Sequence, residues 1–375
     1  MLPLKFIARG LSRERASTRA FGFASFNRQC SSQKHQTSVI ILSDTHGDDL
    51  KHISLPKADV VLHCGDLTNE SRFAELERTI KMLRAIEASL KLVIPGNHDF
   101  GLEPGYKRWT RLGHPHGQHQ DEQGGFQSTD EADDTRASWA LLRHASQHDS
   151  IFLLPQGLHT FVLPADQGGT SARLRLFASP LTPRGGNWGF QYDRSNPHRW
   201  DIPHYTIDTD STVDAVMTHG PPRGIRDIIQ TSQYGCARLL AAVERARPLL
   251  HCFGHIHASW GAEIVAWKRD TEVSSNMRDG AGAPTYDRLV NARQSRVIAS
   301  LPPSSHAEDC CSVDISPTGA HSVRRGRETL FVNAALGFAS ARRSTPLPWL
   351  VKLHLPAAGA QDVAAAQKTM QWLLP

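Results

Sequence analysis

No stretch of this 375-residue sequence approaches the roughly 18 apolar residues that a membrane-spanning helix needs, so no integral membrane anchor is expected. Its six cysteines, Cys30, Cys64, Cys236, Cys252, Cys310 and Cys311, form no C-x-x-C pair and no regular spacing. That pattern leaves out a disulfide framework and fits free thiols in a reducing compartment. Internal repeats are also lacking, so a solenoid is not expected. A broadly basic surface is missing too. The chain carries a net charge of +5, yet residues 1 to 37 hold Lys5, Arg9, Arg13, Arg15, Arg19, Arg28 and Lys34 against Glu14 alone, a net of +6. The remainder therefore carries −1, which removes the charge argument for nucleic acid as a partner.

What residues 1–37 do hold is arginine, serine and a short apolar series at Leu2, Leu4, Phe6, Ile7 and Leu11. This composition fits a mitochondrial transit peptide and equally a disordered leader with no address, so the expected location is mitochondrial or cytoplasmic. The pattern that follows is a repeated one, a short β-branched apolar run ending in a polar, Gly-containing turn. It occurs in "SVIILSDTHGD" from Ser38, "ADVVLHCGDLT" from Ala58, "LKLVIPGNHDF" from Leu90, "DAVMTHGPPRG" from Asp214 and "LLHCFGHIHASWG" from Leu249. Such runs suit strands buried on both faces.

Between the second and third runs, Phe73, Leu76, Ile80, Leu83 and Ile86 recur at helical spacing, and a second helix is predicted before Pro248. Strand and helix alternation gives an α/β fold. Residues 38–356 read as one domain with polar insertions at 113–136 and 268–326, and residues 357–375 as an Ala-rich C-terminal helix. His114, His116 and His119 read as solvated loop residues.

The five strand ends carry Asp44 and His46, Asp66, Asn97 with His98 and Asp99, His219, and His255 with His257. Each alone has a structural explanation as a turn former or a hydrogen-bonded core residue. Together, seven oxygen or nitrogen donors follow apolar runs whose carboxyl ends can converge, where open α/β folds bind ligands. Carboxylates, imidazoles and one amide without a thiolate suit Mn, Fe, Zn or Co. Seven donors exceed one tetrahedral site, and a shared carboxylate lets them serve two metals.

The blocks "DTH", "GD", "GNHD", a later His before Gly, and "GHIH" resemble, in order and flanking strands, the calcineurin-like metallophosphoesterases. Within that superfamily "MTHGPPRGIRD", "NWGF" and "FGHIHASWG" look like the subgroup called metallophosphoesterase-domain-containing proteins. The resemblance covers about residues 38 to 267 and resumes near "LFVNAA". It implies a four-layer α-β-β-α sandwich. It assigns Asp44, His46 and His257 to one divalent metal, Asn97, His219 and His255 to a second, and Asp66 as the bridge. His98 becomes the general acid, with Asp99 orienting it, and a hydroxide shared by the metals becomes the nucleophile.

Some members of the subgroup carry Gly in place of His255; this chain does not, and its complete set argues for an enzyme over a non-catalytic scaffold of the same fold. The expected activity is hydrolysis of small phosphomonoesters or phosphodiesters, nucleotides among them. A protein phosphatase and a nuclease stay as alternatives. Arg223 and Arg226 are candidates to hold a substrate phosphate, or to pair with Asp227 instead. Trp188 and Phe190 either stack on an aromatic ester or pack in the core.

Overall fold

Near-continuous aliphatic runs, suited to strands covered on both faces, supply β1 (Lys34–Leu42), β2 (Ala58–His63), β3 (Ala88–Val93) and β4 (Ile151–Leu153), paired in parallel in that order. A second sheet starts with β5 (Gly157–Leu163), antiparallel to β6 (Ala172–Ser179), and continues in parallel through β7 (Ala215–Thr218) and β8 (Leu250–Phe253). Its other edge is β9 (Gly261–Ala266) and β10 (Arg296–Ala299). From β10 the chain then crosses between the sheets three times. β11 (Cys311–Asp314) joins the first, β12 (Glu328–Asn333) enters the second between β8 and β9, and β13 (Trp349–Pro356) lies antiparallel to β1. The strand orders are β11-β13-β1-β2-β3-β4 and β10-β9-β12-β8-β7-β6-β5.

The computed structural model describes residues 34–50, 53–105, 129–164, 171–195, 200–206, 212–269, 285–300, 309–337 and 346–374. These fall in one compact unit, Gln33–Pro375. Residues 1–33 of the basic leader and the trio His114, His116 and His119 lie outside the described residues, while residues 34–37 of the leader open β1. No described helix is long and apolar enough to cross a membrane.

Helix α1 (Phe73–Ala85) buries Leu76, Ile80 and Leu83 against Ile40, Leu42 and Val61 on the outer face of the first sheet, joined by Leu142 and Ala145 of α2 (Thr129–His148). Helix α3 (Ala237–Ala246) packs Leu239, Leu240 and Val243 on Val216, Phe253 and Phe331 of the second sheet. Between the sheets, Val39, Ile41, Val60 and Leu62 share a core with Leu174, Leu176, Met217, Cys252 and Val332. Each such aliphatic side chain contributes about 1.5–3 kcal/mol by leaving water. The layers therefore run helix, sheet, sheet, helix, the sandwich that the resemblance implies.

The insertion boundaries change. The last residues of 113–136 open α2 at Thr129, because Leu142 and Ala145 further along give that polar helix a buried side. Segment 268–326 is no simple loop either: it holds α4 (Tyr286–Leu289), β10 and β11. Short edge strands carry too few residues to show a period, which is why the sequence hid them. α5 (Ala360–Leu373) lies within the expected C-terminal helix, and its Thr369 hydroxyl accepts the Thr160 N–H at 3.2 Å.

One core residue makes the fold acid-sensitive. His251 is fully buried, its Nε2 2.9 Å from the Thr218 hydroxyl, and burial pushes its pKa down to about 3 from an ordinary 6.5. The unfolded chain takes up this proton near 6.5 while the folded chain resists until about 3. Stability is therefore full above pH 6.5 and falls as pH drops through that window, by about 5 kcal/mol at most. Urea midpoints measured from pH 7 to 4 should fall less steeply in His251→Gln than in the parent; parallel profiles would contradict this assignment.

Candidate metal centre

Every candidate donor sits just past the carboxyl end of a parallel strand. Past their last paired residues the strands stay tied: Asp44 N–H donates to the Gly65 carbonyl (2.9 Å), His46 N–H to Asp66 (3.0 Å) and Gly254 N–H to His219 (3.0 Å). The Leu336 N–H donates to the Ser43 carbonyl at 2.9 Å, joining the chain that follows β12 to the turn after β1. Four donors take the left-handed backbone region, Asp44 (φ 56°), His46 (φ 51°), Asp66 (φ 53°) and His255 (φ 67°). Such a conformation costs on the order of 1–3 kcal/mol for each and persists where the surroundings hold it, commonly at functional sites.

Two clusters result. Donor atoms of Asp44, His46 and His257 lie within 4.8 Å of one another, as do those of Asp66, His219 and His255. In the first, His257 Nε2 is 3.1 Å from Asp44 Oδ1 and 3.4 Å from His46 Nε2. In the second, His219 Nε2 is 2.9 Å from Asn97 Oδ1 and 3.3 Å from Asp66 Oδ1. The other Asp66 oxygen, Oδ2, faces the first cluster, 3.9 Å from His46 Nε2. Asp66 thus presents one oxygen to each side.

The electrostatics are those of buried donors awaiting a cation. Burial alone would raise the Asp44 carboxyl, yet the hydrogen bond and charge of His257, with His219 and His46, hold it well below the usual carboxylate range. Asp66 is likewise lowered, against its burial, by His219. Burial opposes charge on His219, but Asp66 outweighs it and lifts the imidazole to about 9, while burial takes His255 down to about 4. His219 Nδ1 donates to the Cys64 carbonyl at 2.9 Å, which leaves Nε2 as the donor when the ring is neutral.

The residues fit a metal on a further count. A Cβ added at Gly65 would meet the His219 ring, at Gly96 the Asp66 carboxylate and at Gly254 the Asp44 carboxylate and Ser43, so side chain is excluded where the donors converge. Gly254→Ala should therefore displace Asp44 and cost about 1–3 kcal/mol from overpacking. Elemental analysis with a melting curve reads both effects; an unchanged metal content would show that the Asp44 side tolerates the methyl.

His98 stands over both clusters. Its donor atom groups with His46 and Asp66, its ring meets His46 edge-on at 4.7 Å between centroids, and its N–H donates to Asp66 Oδ1 at 2.8 Å. Its Nδ1 donates to the Asn69 carbonyl at 2.8 Å. Asp99, which the resemblance makes the residue orienting His98, accepts from the Leu67, Thr68 and Gly96 N–H groups and the Thr68 hydroxyl, clamping the second turn to the third. Burial, with the charge of Asp66, pushes Asp99 up to about 6. Asn69 and Cys64 act through carbonyls, which no residue pattern announces.

The remaining candidates separate. Trp188 packs on His98 with ring centroids 4.3 Å apart, whereas Phe190 is buried in the core beneath the first sheet. Arg226 is held by Glu263 (3.8 Å) and the Ala262 carbonyl (3.3 Å) and does not pair with Asp227, which accepts the Gly224 and Gly235 N–H groups. Arg223 is exposed.

A four-layer sandwich whose strand ends gather two carboxylate and imidazole clusters defines a phosphoesterase domain of the metal-dependent kind. The family model for calcineurin-like phosphoesterases matches residues 37–259, more than half the chain, and the chain belongs to that family. It is 26% identical over 251 residues to human metallophosphoesterase domain-containing protein 1, covering 64% of this chain and 66% of that protein. It is 27% identical over 223 residues to UPF0046 protein K07C11.7 of Caenorhabditis elegans, covering 60% and 64%. A 31% identity over 245 residues links it to probable rhamnogalacturonate lyase C of Emericella nidulans, covering 64% of this chain but 19% of that protein. The chain thus spans less than two thirds of the length of these curated relatives.

Proposed function

We propose that this chain is a dinuclear metal-dependent hydrolase of small phosphoesters. The observation that carries the reading is Asp66, whose Oδ1 faces His219 and whose Oδ2 faces His46 in the neighbouring cluster. Asp44, His46 and His257 would hold one ion, Asn97, His219 and His255 the other, and Asp66 both. Two divalent ions, of Mn, Fe, Zn or Co, would supply Lewis-acid neutralisation of phosphoryl oxygens and a lowered water pKa.

The protein's own groups do the rest. His98, anchored at Nδ1 by the Asn69 carbonyl, turns Nε2 toward the cluster and gives its proton to the departing oxygen. Trp188 covers the His98 ring and limits its rotation and its contact with water. Asp99 keeps the turns bearing Asp66 and Asn97 in register. The near-neutral charge beyond the leader favours compact esters over long polyanions.

The test is a metal-by-substrate matrix on purified protein, with bis-aryl and mono-aryl phosphates and cyclic nucleotides against each metal. Turnover with at least one combination is expected. Silence across the whole matrix would favour a binding scaffold of the same fold.

A further inference from the structure

We propose that the end of the second sheet remote from the metal centre carries a site for a compact phosphate-bearing anion. A cavity of about 200 Å³ there is lined by Trp267, Arg269, Asn291, Gln294, Arg324 and Arg327. Three guanidinium groups and two carboxamides face it, and no carboxylate lines it among the described residues. This concentration of cations stands in a chain whose residues beyond the leader carry a net of −1.

The walls are fixed by backbone bonds. Trp267 N–H donates to the Arg327 carbonyl (2.9 Å), Arg327 N–H to Arg324 (2.9 Å) and Asn291 N–H to Ala266 (2.8 Å). The Ser295 hydroxyl braces the junction, accepting from Ala266 N–H and donating to the Asn291 carbonyl, both at 3.0 Å. The acid beside the cavity is Glu328, and it is shared: Arg324 Nε (3.2 Å) and Nη2 (3.3 Å) and Arg296 Nη1 (3.2 Å) all donate to it. One carboxylate thus holds two guanidinium groups, Arg324 in the lining and Arg296 beside it. Arg327 is exposed and enters no ion pair among the described residues.

Size and chemistry select the ligand. The volume falls below the roughly 300–1,000 Å³ of ordinary small-molecule pockets, so a small anion fits where a large apolar ligand does not. Guanidinium forks on fixed stems grip phosphate oxygens in pairs, and carboxamide N–H groups add donors. The place is separate from the metal centre. Along the β9–β12 pair, Gly261 and Asn333 stand at the metal-centre end, where the Asn333 side chain donates to the Ile256 carbonyl. Ala266 and Glu328 stand at the other end, about 17 Å away at the rise of a strand.

Calorimetric titration of the full chain with sodium pyrophosphate at low ionic strength, with and without chelator, tests the proposal. One site is expected, indifferent to chelator, weakening as salt rises, and at least tenfold weaker in Arg327→Gln and in Arg269→Gln. Both side chains are exposed, so their loss leaves the fold intact. Adenosine triphosphate as a second titrant distinguishes sources: tighter binding than pyrophosphate assigns a nucleoside phosphate, equal or weaker binding a free anion. Absence of heat at millimolar pyrophosphate, unchanged affinity in both variants, or binding abolished by chelator would each overturn the site. The chelator arm keeps this result independent of the phosphoesterase reading.

Discussion

Asp66→Ala is expected to leave a protein that holds at most one metal ion and has lost its phosphoesterase turnover by at least about a thousandfold, the scale of the several kcal/mol that paired Lewis acids supply. The reason is geometric. Asp66 is the residue whose two oxygens face different clusters, 3.3 Å from His219 Nε2 and 3.9 Å from His46 Nε2. It also accepts the His98 N–H at 2.8 Å, so its loss frees the turn that carries His98. Asp66→Asn keeps an acceptor oxygen for that N–H and separates the two effects. The amide should preserve the melting temperature better than alanine while still failing to bring two ions together. Elemental analysis is the readout, and a variant of either kind that retains two ions would refute the bridging role.

His98→Ala should retain both metals and lose roughly 10²- to 10⁴-fold in turnover of esters with poor leaving groups, the range for a positioned general acid. Activated aryl esters, whose departing oxygen needs no proton, should be nearly spared. The split follows from the position of His98, whose side chain is tied at Nδ1 to Asn69 and packed at a tilt against Trp188. Equal losses for good and poor leaving groups would mean that His98 binds the substrate or a metal without donating a proton.

How much of this was legible in the sequence differs from residue to residue. Asp44, His46, Asp66, Asn97, His219, His255 and His257 could be picked out because each follows a continuous apolar run, and buried parallel strands direct their carboxyl ends to one side. Their left-handed backbones suit Asp and His, which tolerate that region better than branched residues. The role given to Asp99 beside His98 came from the resemblance, and the contacts its carboxylate makes could not be read from the residue pattern. The tight turn sends that carboxylate back to the amides of Leu67, Thr68 and Gly96.

Arg226 was ambiguous for a related reason. Glu263, which holds it, lies on a strand whose distance from Arg226 no local pattern reveals. Helix α2 and the strands within 268–326 were hidden by composition, since polar faces and four-residue edge strands carry little periodicity.

The central claim is that two metal ions, held together by Asp66, make this site a phosphoesterase. The most direct measurement is a titration of metal-free protein with Mn²⁺ while hydrolysis of a bis-aryl phosphate is followed. Turnover should stay low through the first equivalent and reach its plateau at two per chain. A plateau at one equivalent, or no turnover at any, would contradict it.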